Sequence, residues 1–166
     1  MNTSTQHYFT IFPSPVGALK LIATDAGLAA ILWENDDPRR VRLQDAIRRD
    51  DHPILHLATQ QLEEYFAGRR RRFDLPLQFS GTPFQKQVWQ ALLEIPFGQT
   101  RSYADIARRL NNPNAVRAVG AANGRNPLSI VAPCHRVIGA NGTLTGFAGG
   151  LATKAFLLEL ERSRPA

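Results

Sequence analysis

The sequence predicts two domains, an amino-terminal α/β domain over residues 1–80 and a carboxy-terminal helix-turn-helix domain over residues 81–166. Three observations point there. Residues 8–34 alternate and turn like a β-meander, Ser80-Gly81-Thr82-Pro83 interrupts the pattern, and two short capped helices flank Asn111-Asn112-Pro113. A chain of 166 residues, 43% hydrophobic and 20% charged, suits one core or two small ones and excludes a long solenoid.

The meander reads as Tyr8 to Phe12, a Pro13-Ser14-Pro15 turn, Leu19 to Thr24, an Asp25-Ala26-Gly27 turn, and Leu28 to Trp33. Asp36-Asp37-Pro38 then introduces a helical stretch with Val41, Leu43 and Ile47. A second helix is predicted from Pro53 to Phe66, because Leu55, Ala58, Leu62 and Tyr65 or Phe66 share one stripe and Gly68 stops it. Arg69-Arg70-Arg71-Arg72 follows that helix C-terminus, where cations are favoured, and reads as a solvated run. Phe73 to Phe79 is a last strand or an extended connector.

In the second half Thr82 is a helix N-cap, Pro83 takes the first helical position and Gln85 completes a capping box. Phe84, Val88, Ala91, Leu92 and Ile95 form its apolar face, and Pro96-Phe97-Gly98 ends it. Ser102, with Asp105 three residues on, caps the next helix, whose stripe is Tyr103, Ile106, Ala107 and Leu110. Asn112 reads as the cap, and Pro113 as the first residue, of a further helix, Asn114 to about Asn123. Its predicted buried stripe is Ala115, Ala118, Val119 and Ala122. Opposite lies Arg117 among Gly120, Ala121 and Gly124, a face open to close approach by another backbone, whether of a packed domain or of a nucleic-acid groove. A glycine inside a helix costs about 1 kcal/mol relative to alanine, so such a face calls for a reason. Ser129 to Ile138 reads as a buried strand interrupted at Pro133, Asn141-Gly142 as a hairpin turn, Thr143 to Gly150 as a return strand and loop, and Leu151 to Glu161 as an amphipathic helix.

Net charge is +6, and its distribution is uneven. Residues 1–80 hold 10 Lys+Arg against 10 Asp+Glu, whereas residues 81–166 hold 10 against 4. Six arginines and one acid lie between Arg101 and Arg136, which suggests a polyanionic partner such as nucleic acid; the alternative is a solvated basic face. Met1-Asn2-Thr3-Ser4-Thr5-Gln6 offers no signal peptide, and the longest apolar run, Leu28 to Trp33, is too short to span a bilayer. A cytoplasmic protein without a membrane partner is expected.

The single cysteine, Cys134, excludes an internal disulfide framework, every CxxC motif and the paired thiolates of a zinc deaminase. His52 and His56 stand at helical spacing, but Pro53 intervenes and no further ligand completes a metal site, so none is expected. A lone cysteine reads first as a buried, inert residue. Here Pro133, His135 and Arg136 favour an exposed, partly ionised thiol instead. In a regular strand Cys134 and His135 would point to opposite faces, so their cooperation needs a kink or a bridging water.

Ile130-Val131-Ala132-Pro133-Cys134-His135-Arg136-Val137-Ile138, preceded by Arg117-Ala118-Val119-Gly120-Ala121-Ala122-Asn123-Gly124-Arg125-Asn126-Pro127, closely resembles the O6-alkylguanine-DNA alkyltransferase family, the methylated-DNA protein-cysteine methyltransferases. The likeness runs from about Gly81 to Glu161 through Tyr103, Asn126, Gly149-Gly150 and Lys154, and more weakly over the first half, including Tyr65-Phe66-Ala67-Gly68. It is greatest to the bacterial constitutive type.

This resemblance implies a ribonuclease-H-like amino-terminal α/β domain and a winged-helix-like carboxy-terminal domain. It also implies direct reversal of O6-alkylguanine, and of O4-methylthymine, in duplex DNA by a single-turnover transfer to the protein itself. Cys134 would accept the alkyl group, His135 would take the thiol proton through a water, and Glu161 would orient the imidazole. Asn126 would hold the segment before the cysteine. Arg117 would enter the stack in place of the rotated base, and Tyr103 would assist rotation and protonate the departing guanine. Asn112, Ala118 and Arg125 join Arg117 and Tyr103 as implied DNA contacts, and Val137, Phe147 and Ala148 line the implied base pocket. Phe147 and Ala148 depart from the family's frequent tyrosine and serine, which removes two hydroxyls from that pocket. No cofactor is implied; the partner would be double-stranded DNA bearing alkylated bases, met by a monomer, with cooperative assembly on DNA left open. Two other readings are a non-catalytic lesion-binding or regulatory helix-turn-helix protein and a cysteine hydrolase, for which no oxyanion-hole signature is present.

Overall fold

The computed structural model describes residues 5–43 and 45–163. Contacts divide the chain into two compact units, one ending at Phe79 and the other beginning at Ser80. The first four residues, part of the stretch read as lacking a signal peptide, lie outside the described residues. No described helix is long and apolar enough to cross a membrane.

Period-two patterning builds the first unit. Strands β1 (His7–Ser14), β2 (Gly17–Ala23) and β3 (Leu28–Leu32) form the antiparallel meander, with Phe12 opposite Leu19 and Thr10 opposite Leu21. Gly17, at φ 107°, turns β1 into β2 in a conformation that few side chains tolerate. Phe12, Leu19, Leu21, Ala23 and Ile31 are buried, and helix α1 (Pro53–Phe66) supplies Leu55, Ala58, Leu62 and Tyr65 to the same core. His52 caps α1: its Nδ1 accepts from the Ile54 amide at 3.2 Å while Nε2 meets Asp25 Oδ1 at 3.0 Å. Among the described residues no cluster of three metal-ligating side chains exists.

The helix expected after Pro38 does not form. Asp36 instead accepts from the Trp33 amide and grips Arg40 through Nε at 2.8 Å, while Asp37 accepts from the Arg39 amide. Such local side-chain bonds compete with helical pairing. Ile47 lies in a strand, β4 (Ala46–Arg48), which runs parallel to β1 and completes the order β3-β2-β1-β4. Gln44, inside the expected helix, lies outside the described residues. Phe73 to Phe79 is the extended connector, touching β3 at a single Leu28–Leu77 bridge. Gln61 secures it, donating to the Asp74 carbonyl at 2.9 Å and accepting from the Asp74 amide at 2.8 Å.

The second unit starts with α2 (Pro83–Leu92), whose capping box between Thr82 and Gln85 is complete on both sides. Strand β5 (Arg101–Ser102) leads into α3 (Tyr103–Arg109), capped reciprocally by Ser102 and Asp105. Helix α4 (Val116–Gly124) follows, then a 3-10 turn at Cys134–Arg136, strand β6 (Val137–Ile138) parallel to β5, and α5 (Leu151–Arg162). Val88, Leu92, Ile95, Ile106, Val119, Leu128 and Leu157 are buried. Trp89 donates its indole N–H to the Ala122 carbonyl at 2.8 Å, tying α2 to α4.

Two expectations about α4 are corrected. It begins at Val116, after a turn in which Asn111 takes φ 58° and the Asn112 carbonyl accepts from the Ala115 amide, so Asn112 is not its side-chain cap. With Ala122 held against Trp89, the buried face is Val119, Ala122 and Asn123; Ala118 is exposed beside Arg117 and Ala121, and Gly120 faces the Tyr103 ring. Nor does Thr143 to Gly150 return as a strand, because β6 finds its partner in β5 and leaves this stretch a loop.

Replacing Gln61 by leucine keeps the volume but strands the Asp74 amide and carbonyl. This variant is expected to lose about 2 kcal/mol in urea unfolding; an unchanged midpoint would show that the clamp is dispensable.

Candidate active site

The chain from α4 to β6 is folded by one buried asparagine. Asn126 donates from Nδ2 to the Ala132 carbonyl at 2.8 Å and accepts the Leu128 amide on Oδ1 at 3.0 Å. Inside this bracket the Ala132 amide bonds the Leu128 carbonyl and the Cys134 amide bonds that of Ala132. Ile130 is buried at φ 75°, a left-handed conformation rare for a β-branched residue and costing about 1–3 kcal/mol. The expected buried strand through Ser129 to Arg136 is therefore corrected to a tight turn followed by a 3-10 turn, with only Val137 and Ile138 extended. A 3-10 turn places successive side chains about 120° apart, which removes the opposite-face geometry expected of Cys134 and His135.

The cysteine is not exposed as expected: it is 4% accessible, in a stretch that is buried throughout from Asn126 to Val137. Lys154, also buried, donates from Nζ to the Val137 carbonyl at 2.7 Å and to the Thr145 carbonyl at 3.3 Å. Burial pushes the Lys154 ammonium below the usual lysine range, and negative charge on Cys134 opposes that push. A negative charge on Cys134 and the Lys154 ammonium would thus stabilise one another.

His135 and Glu161 are 0% and 1% accessible. His135 Nε2 stands 2.7 Å from Glu161 Oε2. Arg136 donates to the same carboxylate twice, from Nε to Oε1 at 2.8 Å and from Nη2 to Oε2 at 2.9 Å, and from Nη1 to the Ile95 carbonyl at 2.7 Å. Burial would raise the Glu161 carboxyl, but the bonds and charges of His135 and Arg136 outweigh it and hold it at about 2. An ionised carboxylate only accepts, so His135 carries its proton on Nε2 and leaves Nδ1 with a lone pair. That Nδ1 is buried and has no hydrogen-bond partner among the described residues. Burial lowers the imidazole pKa; Glu161 opposes this, while Arg136 and Lys154 add to it. A neutral imidazole with an open Nδ1 is a base ready for a proton.

Tyr103, at the first position of α3, is half-buried, and its hydroxyl meets that of Thr145 at 2.6 Å. Val137 is buried in β6, Phe147 is half-buried with its ring centre 6.0 Å from Lys154 Nζ, and Ala148 is exposed. Arg117 and Ala118 are exposed on α4, Arg125 is exposed at its C-terminus, and Asn112 is exposed in the turn before it. The structure thus gathers Cys134, His135, Glu161 and Asn126 around one turn and leaves Arg117, Ala118, Arg125 and Asn112 exposed on α4 or next to it. Sequence reading missed Arg136 as the clamp on Glu161 and missed Thr145. An arginine set in an otherwise apolar buried run was the available signal for the first; nothing local marked the second.

Both shifts make acid destabilising. Glu161 binds its proton more weakly folded than unfolded, so its contribution is complete above about 4.5 and is lost as pH falls towards 2. His135, also lowered, begins to cost stability once pH drops below its unfolded value near 6.5. Urea unfolding of the wild type is expected to weaken from pH 6.5 downward, with about 3 kcal/mol lost through Glu161 at the acid end. Glu161→Gln should be less stable at pH 7 and flatter below 4.5; an unchanged acid slope would place its origin elsewhere.

Comparison with known proteins agrees over both units. The model of the 6-O-methylguanine DNA methyltransferase ribonuclease-like domain matches residues 7–79, and that of the DNA binding domain matches residues 83–163. The methylated-DNA–protein-cysteine methyltransferase of Methanosarcina acetivorans is 48% identical over 156 residues, covering 94% of this chain and 99% of the relative. The constitutive enzyme of that name from Bacillus subtilis is 48% identical over 160 residues, 94% of this chain and 96% of its own length. The crystal structure of Mycobacterium tuberculosis OGT in complex with DNA superposes with a TM-score of 0.87 at 44% identity, covering 95% of this chain and 94% of that one. With both domain models matched in order and near-complete relatives approaching half identity, the chain belongs to the 6-O-methylguanine DNA methyltransferase family.

Proposed function

We propose that this chain repairs O6-alkylguanine, and O4-methylthymine, in double-stranded DNA by moving the alkyl group irreversibly onto Cys134. The observation that carries the reading is the buried carboxylate–imidazole pair beside the single cysteine, with its base nitrogen open. His135 Nδ1 takes the thiol proton through one water, and Glu161 holds the resulting imidazolium. The thiolate, faced by the Lys154 charge, attacks the alkyl carbon. A sulfur–carbon bond forms as the carbon–oxygen bond breaks, and Tyr103 gives its phenolic proton to the departing base. The thioether has no second nucleophile to remove it, so each molecule acts once.

A thiol that is 4% accessible cannot reach a base inside a duplex, so the nucleotide must rotate out, at a cost of a few kcal/mol. Arg117 fills the vacated stack from the exposed face of α4, where Ala118, Ala121 and Gly124 allow the helix close to the backbone. Arg125 and Asn112 flank this face as phosphate and sugar contacts. Asn126 holds the turn that aims the cysteine. Val137 and Phe147 supply apolar walls for the base, and Ala148 leaves a gap where a hydroxyl is often found. The protein acts as a cytoplasmic monomer with no cofactor.

Incubation with a duplex carrying one O6-methylguanine should add one methyl group to Cys134, one equivalent per protein, as read by intact mass and peptide mapping. Binding without a mass change would favour a lesion-binding protein instead. Cys134→Ala should bind the duplex and transfer nothing; transfer by that variant would refute the acceptor. Arg117→Ala should slow repair of duplex DNA at least tenfold more than reaction with free O6-benzylguanine, which requires no base rotation, and equal losses on both would sink the finger role.

A further inference from the structure

Resting on the transfer reaction above, we propose that Thr145 is a positioning residue of that reaction, holding the Tyr103 hydroxyl and supplying the hydrogen bond that the phenolate needs once its proton has gone to the departing base. The two hydroxyl oxygens lie 2.6 Å apart across 42 residues of sequence, from the start of α3 to the loop before α5. Thr145 is fixed from its other side, since its carbonyl accepts from Lys154 Nζ, the same ammonium that bonds the Val137 carbonyl. One residue therefore joins the proton donor, the loop carrying Phe147, and the buried Lys154 ammonium.

The chemistry assigns a direction to each stage. Either hydroxyl can donate across this distance, and because a phenol is a stronger acid than an alcohol the resting arrangement favours Tyr103 as donor and Thr145 as acceptor. During transfer the sulfur–carbon bond forms, the carbon–oxygen bond breaks, and the electron pair left on the base is neutralised by the Tyr103 proton. The phenolate that remains has lost its donor role, and the Thr145 hydroxyl, free to rotate about its C–O bond, donates to it until solvent returns the proton. No other hydroxyl of the loop is positioned for this. Phe147 and Ala148 have none, and Thr143 Oγ1 donates to Asn141 Oδ1 at 2.7 Å. The loop that departs from the family's frequent tyrosine and serine thus retains one hydroxyl aimed at the proton donor.

The test is a double-mutant cycle on the full chain, reading the single-turnover rate of methyl transfer from an O6-methylguanine duplex to Cys134. Thr145→Val, nearly isosteric, should slow transfer about five- to tenfold, the worth of one lost hydrogen bond. Thr145→Ser, which keeps the hydroxyl and drops the methyl, should stay within about twofold of wild type. In a Tyr103→Phe background Thr145→Val should add less than about twofold, because the group it serves is already gone. Equal slowing by Thr145→Val in both backgrounds, equal loss by valine and serine, or no loss with valine would each overturn the proposal. Thermal unfolding of every variant guards against simple misfolding: a rate loss in Thr145→Val that tracks a lowered midpoint shared by Thr145→Ser counts against it. Failure of the wild type to take up methyl would sink the transfer reading itself, a result separate from any ratio among the variants.

Discussion

Everything near Cys134 depends on keeping one carboxylate ionised inside the protein. Taking Glu161 out of water is costly, and a buried carboxylate with a missing partner is among the most destabilising features a fold can carry. Here Arg136 bonds both oxygens, His135 bonds one of them, and the remaining arm of Arg136 reaches the Ile95 carbonyl just beyond α2. The end of α5, the 3-10 turn and the exit of α2 are thereby fixed relative to one another by charge-assisted bonds. The imidazole is oriented as a consequence. Its tautomer and its open Nδ1 follow from the carboxylate being anionic and doubly held, whereas its neutrality comes from burial, with Arg136 and Lys154, against the pull of Glu161.

A second constraint acts before the turn. Asn126 replaces the ladder partners that a strand would have had, satisfying the Leu128 amide and the Ala132 carbonyl within six residues. Only with that bracket in place does Ile130 tolerate its left-handed backbone, and only with Ile130 turned does the chain present Cys134 and His135 on a tight turn. Strain at one residue is thus offset by burial of its side chain and by hydrogen bonds on either side.

What could be read in the sequence divides along the same line. Helices α1, α2 and α3 were legible because their signals are local: a stripe at helical spacing, and side-chain caps three residues from their partners. The β-meander was legible for the same reason. By contrast, β4 exists because the edge of β1, some 40 residues earlier, accepts a parallel partner, and no window around Ile47 contains that information. The start of α4 followed the turn with Asn111 at positive φ and not the Asn112-Pro113 signal. At the site, the resemblance carried by the motif around Cys134 pointed to Cys134, His135 and Glu161, which the fold brings together, yet the run itself read as a strand because apolar run and burial look alike whether the chain is extended or turned. Arg136 and Thr145 owe their importance to partners 25 and 42 residues away, which periodicity cannot supply.

The burial of the thiol fits a protein that acts once. A turnover enzyme must let product leave, and the path by which it leaves also lets water in. An alkyl group that stays on the sulfur needs no exit, so the acceptor can sit in a buried turn where the Glu161–His135 pair is little screened by bulk solvent. The substrate, not the protein, then supplies the movement. In the reaction proposed above, base rotation delivers the alkyl carbon to a site already assembled, and the exposed, small-residue face of α4 bearing Arg117 is the surface assigned to that delivery. Rigidity at the sulfur and openness at α4 are two halves of one design: the first has no product to release, and the second needs only the duplex to come close.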